Sequence, residues 1–197
     1  MKQWIVSYGT LVNKKITEKT GDSFEYIPCR IEDHIRRWSF PIPKQQRSAA
    51  GIEYEKNAYT TGTLVSILEK DFSLFDKREV GYLRHKIEDT SILKPMDGKM
   101  PDGEFWMYIP IAPKVPTTKT PITQTMVDVI IDACMSISES FAKECILTTN
   151  DWQYPWVNDR SKPLYPRHLS GLSTFKIDKI LKECIPEHFS NRIEENI

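Results

Sequence analysis

The chain has 197 residues, 40% of them hydrophobic and 27% charged, and its 27 Lys and Arg balance its 27 Asp and Glu. A chain of this length can bury its own core and reads as one domain over residues 1–197. Zero net charge excludes a global basic field for nucleic acid or an anionic membrane, and no stretch approaches the roughly 20 apolar residues of a spanning helix.

Trp4-Ile5-Val6-Ser7-Tyr8 is a β-type run that stops at Gly9-Thr10. Glycine permits a sharp exit from a strand. Free backbone N–H groups in such a turn form an anion-binding concavity, although a plain strand-to-loop turn has the same sequence. The further glycines and the Lys-Ser/Thr of a phosphate loop are missing. Residues 12–30 are polar and predict an exposed loop or short helix, with a weak strand over 24–30. Residues 31–38 read as helical or bent, with Trp38 in the core between solvated Arg36 and Arg37. Residues 49–54 and 62–68 read as two strands. Residues 69–78 read as a short helix, with Phe72 and Phe75 on one face. Strands follow at 83–93 and 104–111, with turns at Asp97-Gly98 and Asp102-Gly103 between them.

Residues 112–121 carry three prolines and form a linker. Thr120-Pro121 is a helix start, with Thr as N-cap and Pro at the first helical position. The stripe Ile122, Met126, Val129, Ile130, Ala133, Ile137, Phe141, Cys145 then predicts one long helix to about residue 147, its Met a packing residue. Residues 152–167 are aromatic, Pro-rich and charged, an ordered loop, and 172–185 form a last amphipathic helix. Residues 1–111 are thus strand-dominated, and 120–197 form a helical extension. Cys29, Cys134, Cys145 and Cys184 read as buried reduced thiols, which places the protein in the cytoplasm. Cys134 and Cys145, eleven apart on one helix, share a face but do not reach each other.

Four histidines without mutual spacing and no Cys-x-x-Cys predict no metal site. No Gly-x-Ser-x-Gly marks a nucleophile. Asp76 and Glu79 are neighbours on one helix, whereas a glycosidase pair approaches its bond from opposite sides. One embedded carboxylate remains. Glu79 lies in or just after the last turn of the 69–78 helix, ahead of Gly81, which suits the left-handed position past a helix end. This is the wrong end of the helix dipole for a negative charge. Glu79 is therefore either a surface carboxylate held by Lys77, Arg78 or Arg84, or a base with its proton affinity tuned upward.

Three segments together carry a resemblance. Ile5-Val6-Ser7-Tyr8-Gly9-Thr10-Leu11 resembles the Tyr-Gly-Ser/Thr-x-Leu start of the γ-glutamylcyclotransferase superfamily. Gly62-Thr63-Leu64-Val65-Ser66-Ile67 is similar to its Gly-x-Leu/Val strand. Leu74-Phe75-Asp76-Lys77-Arg78-Glu79-Val80-Gly81-Tyr82-Leu83-Arg84 is similar to its Leu/Phe-Asp-x-x-Glu-x-Gly-Tyr-x-Arg segment. The resemblance covers roughly residues 4–92. It implies an α+β fold, a small mixed β-barrel with packed helices, whose cavity joins the Tyr8–Leu11 turn to Glu79. It implies cyclisation of a γ-glutamyl group to 5-oxoproline with release of an amine or amino acid, with Glu79 as general acid/base and no cofactor. Tyr8, Gly9, Thr10, Leu11, Tyr82 and Arg84 are the candidate substrate-binding residues, with Arg160 a further candidate clamp for a carboxylate. Packed tyrosines and surface arginines are the plain alternatives for these side chains. The partner implied is a small γ-glutamyl compound, not nucleic acid or membrane. A non-catalytic binding or regulatory protein on the same fold is the rival reading.

Overall fold

The structure, a computed structural model, describes residues 1–194. Its centre is β1 (Gln3–Ser7), buried along its whole length. β1 pairs antiparallel with β3 (Arg47–Ile67) and parallel with β6 (Glu104–Pro110). With β2 (Ser23–Ile42), β4 (Tyr82–Lys86) and β5 (Leu93–Pro95), the strand order is β4-β6-β1-β3-β2-β5, and β8 (Thr149–Asn150) lies beside β2. The sheet is mixed and the class is α+β, as the sequence implies. The barrel does not close. The hydrogen-bonded path runs from β4 to β5, and no ladder joins its two ends among the described residues. β5 and β8 take the free side of β2, where a closing strand would have to pair.

Several expected elements differ in extent, because pairing overrides local pattern. Residues 31–38 are strand, not helix or bend: they form the middle of β2, laddered to residues 51–60 of β3. The two strands read at 49–54 and 62–68 are one strand. Gly62 allows this continuity, since a Cβ there would stand 2.6 Å from the Ser7 carbonyl oxygen of the neighbouring strand. The strand read at 83–93 is two pieces, β4 and β5, which pair with different partners. The polar 12–30 segment includes α1 (Lys14–Glu18), whose N-cap Asn13 accepts from the Ile16 N–H.

The C-terminal half begins with β7 (Ile122–Thr123), paired with β9 (Trp156–Asn158), which in turn pairs with β10 (Ile193–Glu194). Strand pairing at residues 122–123 delays the helix expected from Thr120. α3 runs Gln124–Ile137, and its first turn is capped from far along the chain. Asp159, fully buried, accepts from the Thr125 N–H at 2.8 Å. The expected long helix is broken at Ser138, which is extended (φ −167°) and caps α4 (Glu139–Leu147) by accepting from the Phe141 N–H at 3.0 Å. The chain folds back there, and Cys134 and Cys145 become hydrogen-bonded partners, contrary to the one-helix reading. α5 (Thr174–Cys184) and a short α6 (Pro186–Ser190) follow. These helices share one core with Trp38, Ala49 and Ala50 of the hairpin, anchored by the Trp38–Trp152–Trp156–Phe189 ring series. The extension therefore covers the hairpin next to the turn that follows β1. No described helix is long and apolar enough to cross a membrane.

Candidate active site

The apolar run of β1 carries Tyr8 out of the sheet, and the chain tightens into a 3-10 turn over Thr10–Val12. The Val12 and Asn13 N–H groups close this turn on Gly9 O and Thr10 O, both at 3.1 Å. The preceding N–H groups, of Gly9, Thr10 and Leu11, have no intra-turn acceptor, as at any helix start. The Tyr8 carbonyl is fixed from behind by Arg36, whose Nε donates to it at 2.6 Å. Arg36 also donates to the backbone carbonyls of Thr61 and Cys145 and to the Thr149 hydroxyl. A hydrogen bond from Cys134 first, and then the Arg36 charge, makes Cys145 the more acidic of the two thiols. Arg36 is 1% exposed, so the solvated role expected for it is wrong. The strand alternation that carries Trp38 inward carries Arg36 inward too. Arg37, on the other face, pairs with Glu55 and Asp151.

Glu79 approaches the turn from α2 (Phe72–Arg78), of which it is the C-cap. Its N–H donates to Phe75 O and its carbonyl accepts from the Tyr82 N–H, each at 2.9 Å. Between them Gly81 adopts φ +93°, and a Cβ there would overlap the Phe40 ring. Only glycine fits such a position without strain. The reversal aims Glu79 and Tyr82 at the same space as the turn. That space is a pocket of about 50 Å³ lined by Tyr8, Gly9, Thr10, Leu11, Glu79 and Tyr82, with Ala50, Tyr108 and Met126 completing its walls.

The cation opposite Glu79 is Arg78. Its Nε donates to Glu79 Oε1 at 2.7 Å, its Nη2 to Thr10 Oγ1 at 2.9 Å and its Nη1 to Thr20 Oγ1 at 3.0 Å. The Arg78 side chain is 5% exposed and that of Glu79 17%. One guanidinium thus ties the carboxylate to the turn. The sequence offered Arg78 only as one of three possible neighbours of a surface carboxylate. Its signal was the residue directly before Glu79 in a helix whose last turn faces inward.

The two tyrosines have a specific valence. Tyr8 Oη donates to the Tyr108 carbonyl, and Tyr82 Oη donates to the Ala50 carbonyl at 2.8 Å. Each phenol has one proton and has used it on an acceptor that cannot donate back. What remains on each oxygen are lone pairs. Burial, and then the Glu79 charge, push Tyr8 well above its ordinary pKa. Burial pushes Tyr82 the same way, with Tyr8 and Glu79 adding to it. Both rings therefore stay neutral. The pocket lining thus brings together a carboxylate, two neutral phenols and the turn with its open N–H groups.

Two candidate arginines stand elsewhere. Arg84 is not in the pocket lining. It stacks on Phe72, its guanidinium 4.0 Å from the ring centroid, and faces Asp76 at 3.6 Å. Opposite Tyr108 and two residues past Tyr82, it shares their face of the sheet but lies beyond the pocket's edge, over Phe72 and Trp106. Arg160 is held by Asp128 and Asp178 at 2.7 Å each, and it braces α3 against α5. Among the described residues no group of three or more His, Cys, Asp or Glu is placed to hold a metal.

No family model matches the chain, and no curated protein matches its sequence. Solved structures do match its fold. One is a γ-glutamyl cyclotransferase, superposing with a TM-score of 0.62 at 12% identity and covering 93% of this chain and 99% of that one. YkqA from Bacillus subtilis superposes at 0.54 with 13% identity, over 76% of this chain and 56% of that one. An uncharacterized protein from Homo sapiens superposes at 0.53 with 13% identity, over 70% and 85%. The chain has the fold of the γ-glutamyl cyclotransferase structures, with its extension included in the match.

Proposed function

We propose that the protein is a γ-glutamylcyclotransferase-type enzyme, which cyclises a γ-glutamyl group to 5-oxoproline and releases an amine or amino acid. The observation that carries this reading is the shared pocket, where Glu79 faces the Tyr8–Leu11 turn. In this reading the γ-glutamyl α-ammonium sits against Glu79 and the acceptor oxygens of Tyr8 and Tyr82. Glu79 takes one of its protons, and the freed amine attacks the γ-carbonyl carbon. The N–C bond of the five-membered ring forms as the carbonyl oxygen becomes an oxyanion. As the oxyanion collapses, the bond to the leaving nitrogen breaks and that nitrogen receives the proton from Glu79; the ring nitrogen then gives its second proton to the freed carboxylate, from which it passes to the departing amine. No water is consumed and no redox change occurs.

The nucleophile is intramolecular, so the protein mainly holds a folded conformer. The N–H groups of Gly9, Thr10 and Leu11 receive the α-carboxylate or the developing oxyanion. The glutamyl head occupies the pocket, and the leaving group lies against its Met126 wall. Arg78 is a positioning residue that holds one oxygen of Glu79 and the Thr10 side chain.

The test is 5-oxoproline release from a panel of γ-glutamyl peptides, amino acids and amines, with Glu79→Gln as the paired variant. Gln keeps shape and hydrogen bonding but takes no proton, so turnover should fall by about 10²–10⁴-fold. Equal rates in the two proteins, or no release from any compound by the wild type, sink the reading and leave the binding-protein alternative.

A further inference from the structure

A second cation lies behind the pocket wall. Arg47, the first residue of β3, is 4% exposed. A buried guanidinium normally has a carboxylate or a set of carbonyls about it. Arg78 has Glu79, Arg160 has Asp128 and Asp178, and Arg36 has three backbone carbonyls. Arg47 has neither. Its Nε and Nη2 both donate to the single oxygen Gln45 Oε1, at 2.9 and 2.6 Å, and its Nη1 reaches only the Met126 sulfur at 3.8 Å. The one carboxylate that acts on it is Asp159, weakly, and its oxygens already accept from Thr125 and the Leu164 N–H. Arg167 adds positive charge, and burial pushes the Arg47 guanidinium down to about 10.

Against Arg47 stands a second unsatisfied group. The guanidinium lies 5.1 Å from the ring centroid of Tyr165, which is 2% exposed. The Tyr165 hydroxyl is buried with no hydrogen-bond partner. A buried donor left open costs free energy, and here it stands beside a buried cation short of counter-charge. Both needs are met by one anion. Tyr165 comes from the Pro-rich 152–167 segment, which the cyclotransferase chemistry does not otherwise use.

Met126 connects this spot to the reaction. Its side chain lines the Glu79 pocket on one side, and its sulfur caps Arg47 on the other. A thioether is a weak acceptor on a flexible stem, and a carboxylate is a far stronger partner for a guanidinium. We propose that Arg47 and the Tyr165 hydroxyl form the subsite for a carboxylate on the leaving group, which displaces the Met126 thioether, so that the substrates are γ-glutamyl amino acids or peptides rather than γ-glutamylamines. The assignment rests on the cyclotransferase reading for the glutamyl end only.

A matched pair tests it: γ-glutamylalanine and γ-glutamylethylamine, whose leaving groups differ by one carboxylate. The wild type should prefer the alanine compound by about 10- to 100-fold in kcat/KM, the range of a charge-assisted hydrogen-bond pair. Arg47→Gln should collapse the ratio toward one, and Tyr165→Phe should reduce it by about 3- to 10-fold. Arg47→Lys, which keeps the charge, should retain an intermediate ratio and serves if Arg47→Gln does not fold. Calorimetric binding of both compounds to Glu79→Gln separates the two ideas. No 5-oxoproline from the wild type, with an Arg47-dependent preference in binding, removes the reaction and keeps the subsite. Equal use of both compounds, a preference for the ethylamine, a ratio unmoved by Arg47→Lys and Tyr165→Phe, or no binding of either compound overturns the subsite.

Discussion

Replacing Arg78 with Met removes the guanidinium and keeps the buried stem. The structure sets the size of the effect. The lost contacts all come from one cation: an ion-paired bond to Glu79 at 2.7 Å and bonds to the Thr10 and Thr20 hydroxyls at 2.9 and 3.0 Å. A hydrogen bond to a charged group contributes about 1.5–3 kcal/mol; the two hydroxyls can turn to other partners once the cation is gone, so the ion-paired bond dominates. Glu79 keeps some access to water, which returns part of the loss, so destabilisation should be about 2–4 kcal/mol. For a protein of this size that lowers Tm by roughly 5–15 °C. Glu79 and Thr10 also lose their common anchor. Turnover should fall by about 10- to 100-fold with KM changing less, since each tenfold corresponds to about 1.4 kcal/mol of misplaced transition-state contact. Calorimetric melting and 5-oxoproline release measure the two effects on one preparation. Arg78→Lys, one donor in place of a fork, should lie between. A variant Arg78→Met that melts within about 1 °C of the wild type and turns over at its rate would refute the idea that this guanidinium organises the site.

Three further outcomes follow from the same geometry. Gly81→Ala forces a Cβ onto a residue at φ +93° and into the Phe40 ring; urea unfolding should show a loss of about 1–3 kcal/mol or more, with Glu79 and Tyr82 displaced together. Tyr82→Phe leaves the Ala50 carbonyl without its donor, and should cost about 1–3 kcal/mol in the same assay. Tyr8 and Tyr82 both have native pKa values raised above 10.0, by burial first. The unfolded phenols therefore ionise before the native ones, so stability is full below pH 10 and is lost as pH climbs above it. Melting scans from pH 8 to 11 should show this decline, and it should be shallower in Tyr8→Phe, which removes one of the groups responsible.

Much of the site was legible in the sequence because its parts are local. An apolar run ending in Gly9 makes a turn wherever the run is buried. Gly81 two residues beyond Glu79 fixes how α2 must stop, and hence that Glu79 sits at its end. The three-segment resemblance then placed turn and carboxylate together, and both line one pocket. The helix break at Ser138 also had a local signal, a Ser followed by an acidic first turn. The apolar stripe continued through it and masked it, which hid the contact of Cys134 with Cys145.

What the sequence could not supply was the identity of each charge's partner. Arg36 and Arg37 are adjacent, yet one is sealed among carbonyls and the other is paired at the surface, because strand alternation in β2 and the packing of α4 decide between them. Arg84 lies within the motif yet sits past the pocket's edge on Phe72, while Arg47, outside every motif, reaches the wall of the pocket through Met126. Barrel closure likewise depended on which strands took the free edge of β2. Local pattern determined the turn, the helix stop and the candidate base. Arg78 and Glu79 are neighbours in the chain, but tertiary structure decided how the other charges pair, since Arg36, Arg37 and Arg160 meet partners 18 to more than 100 positions away, and no spacing in the chain encodes those approaches.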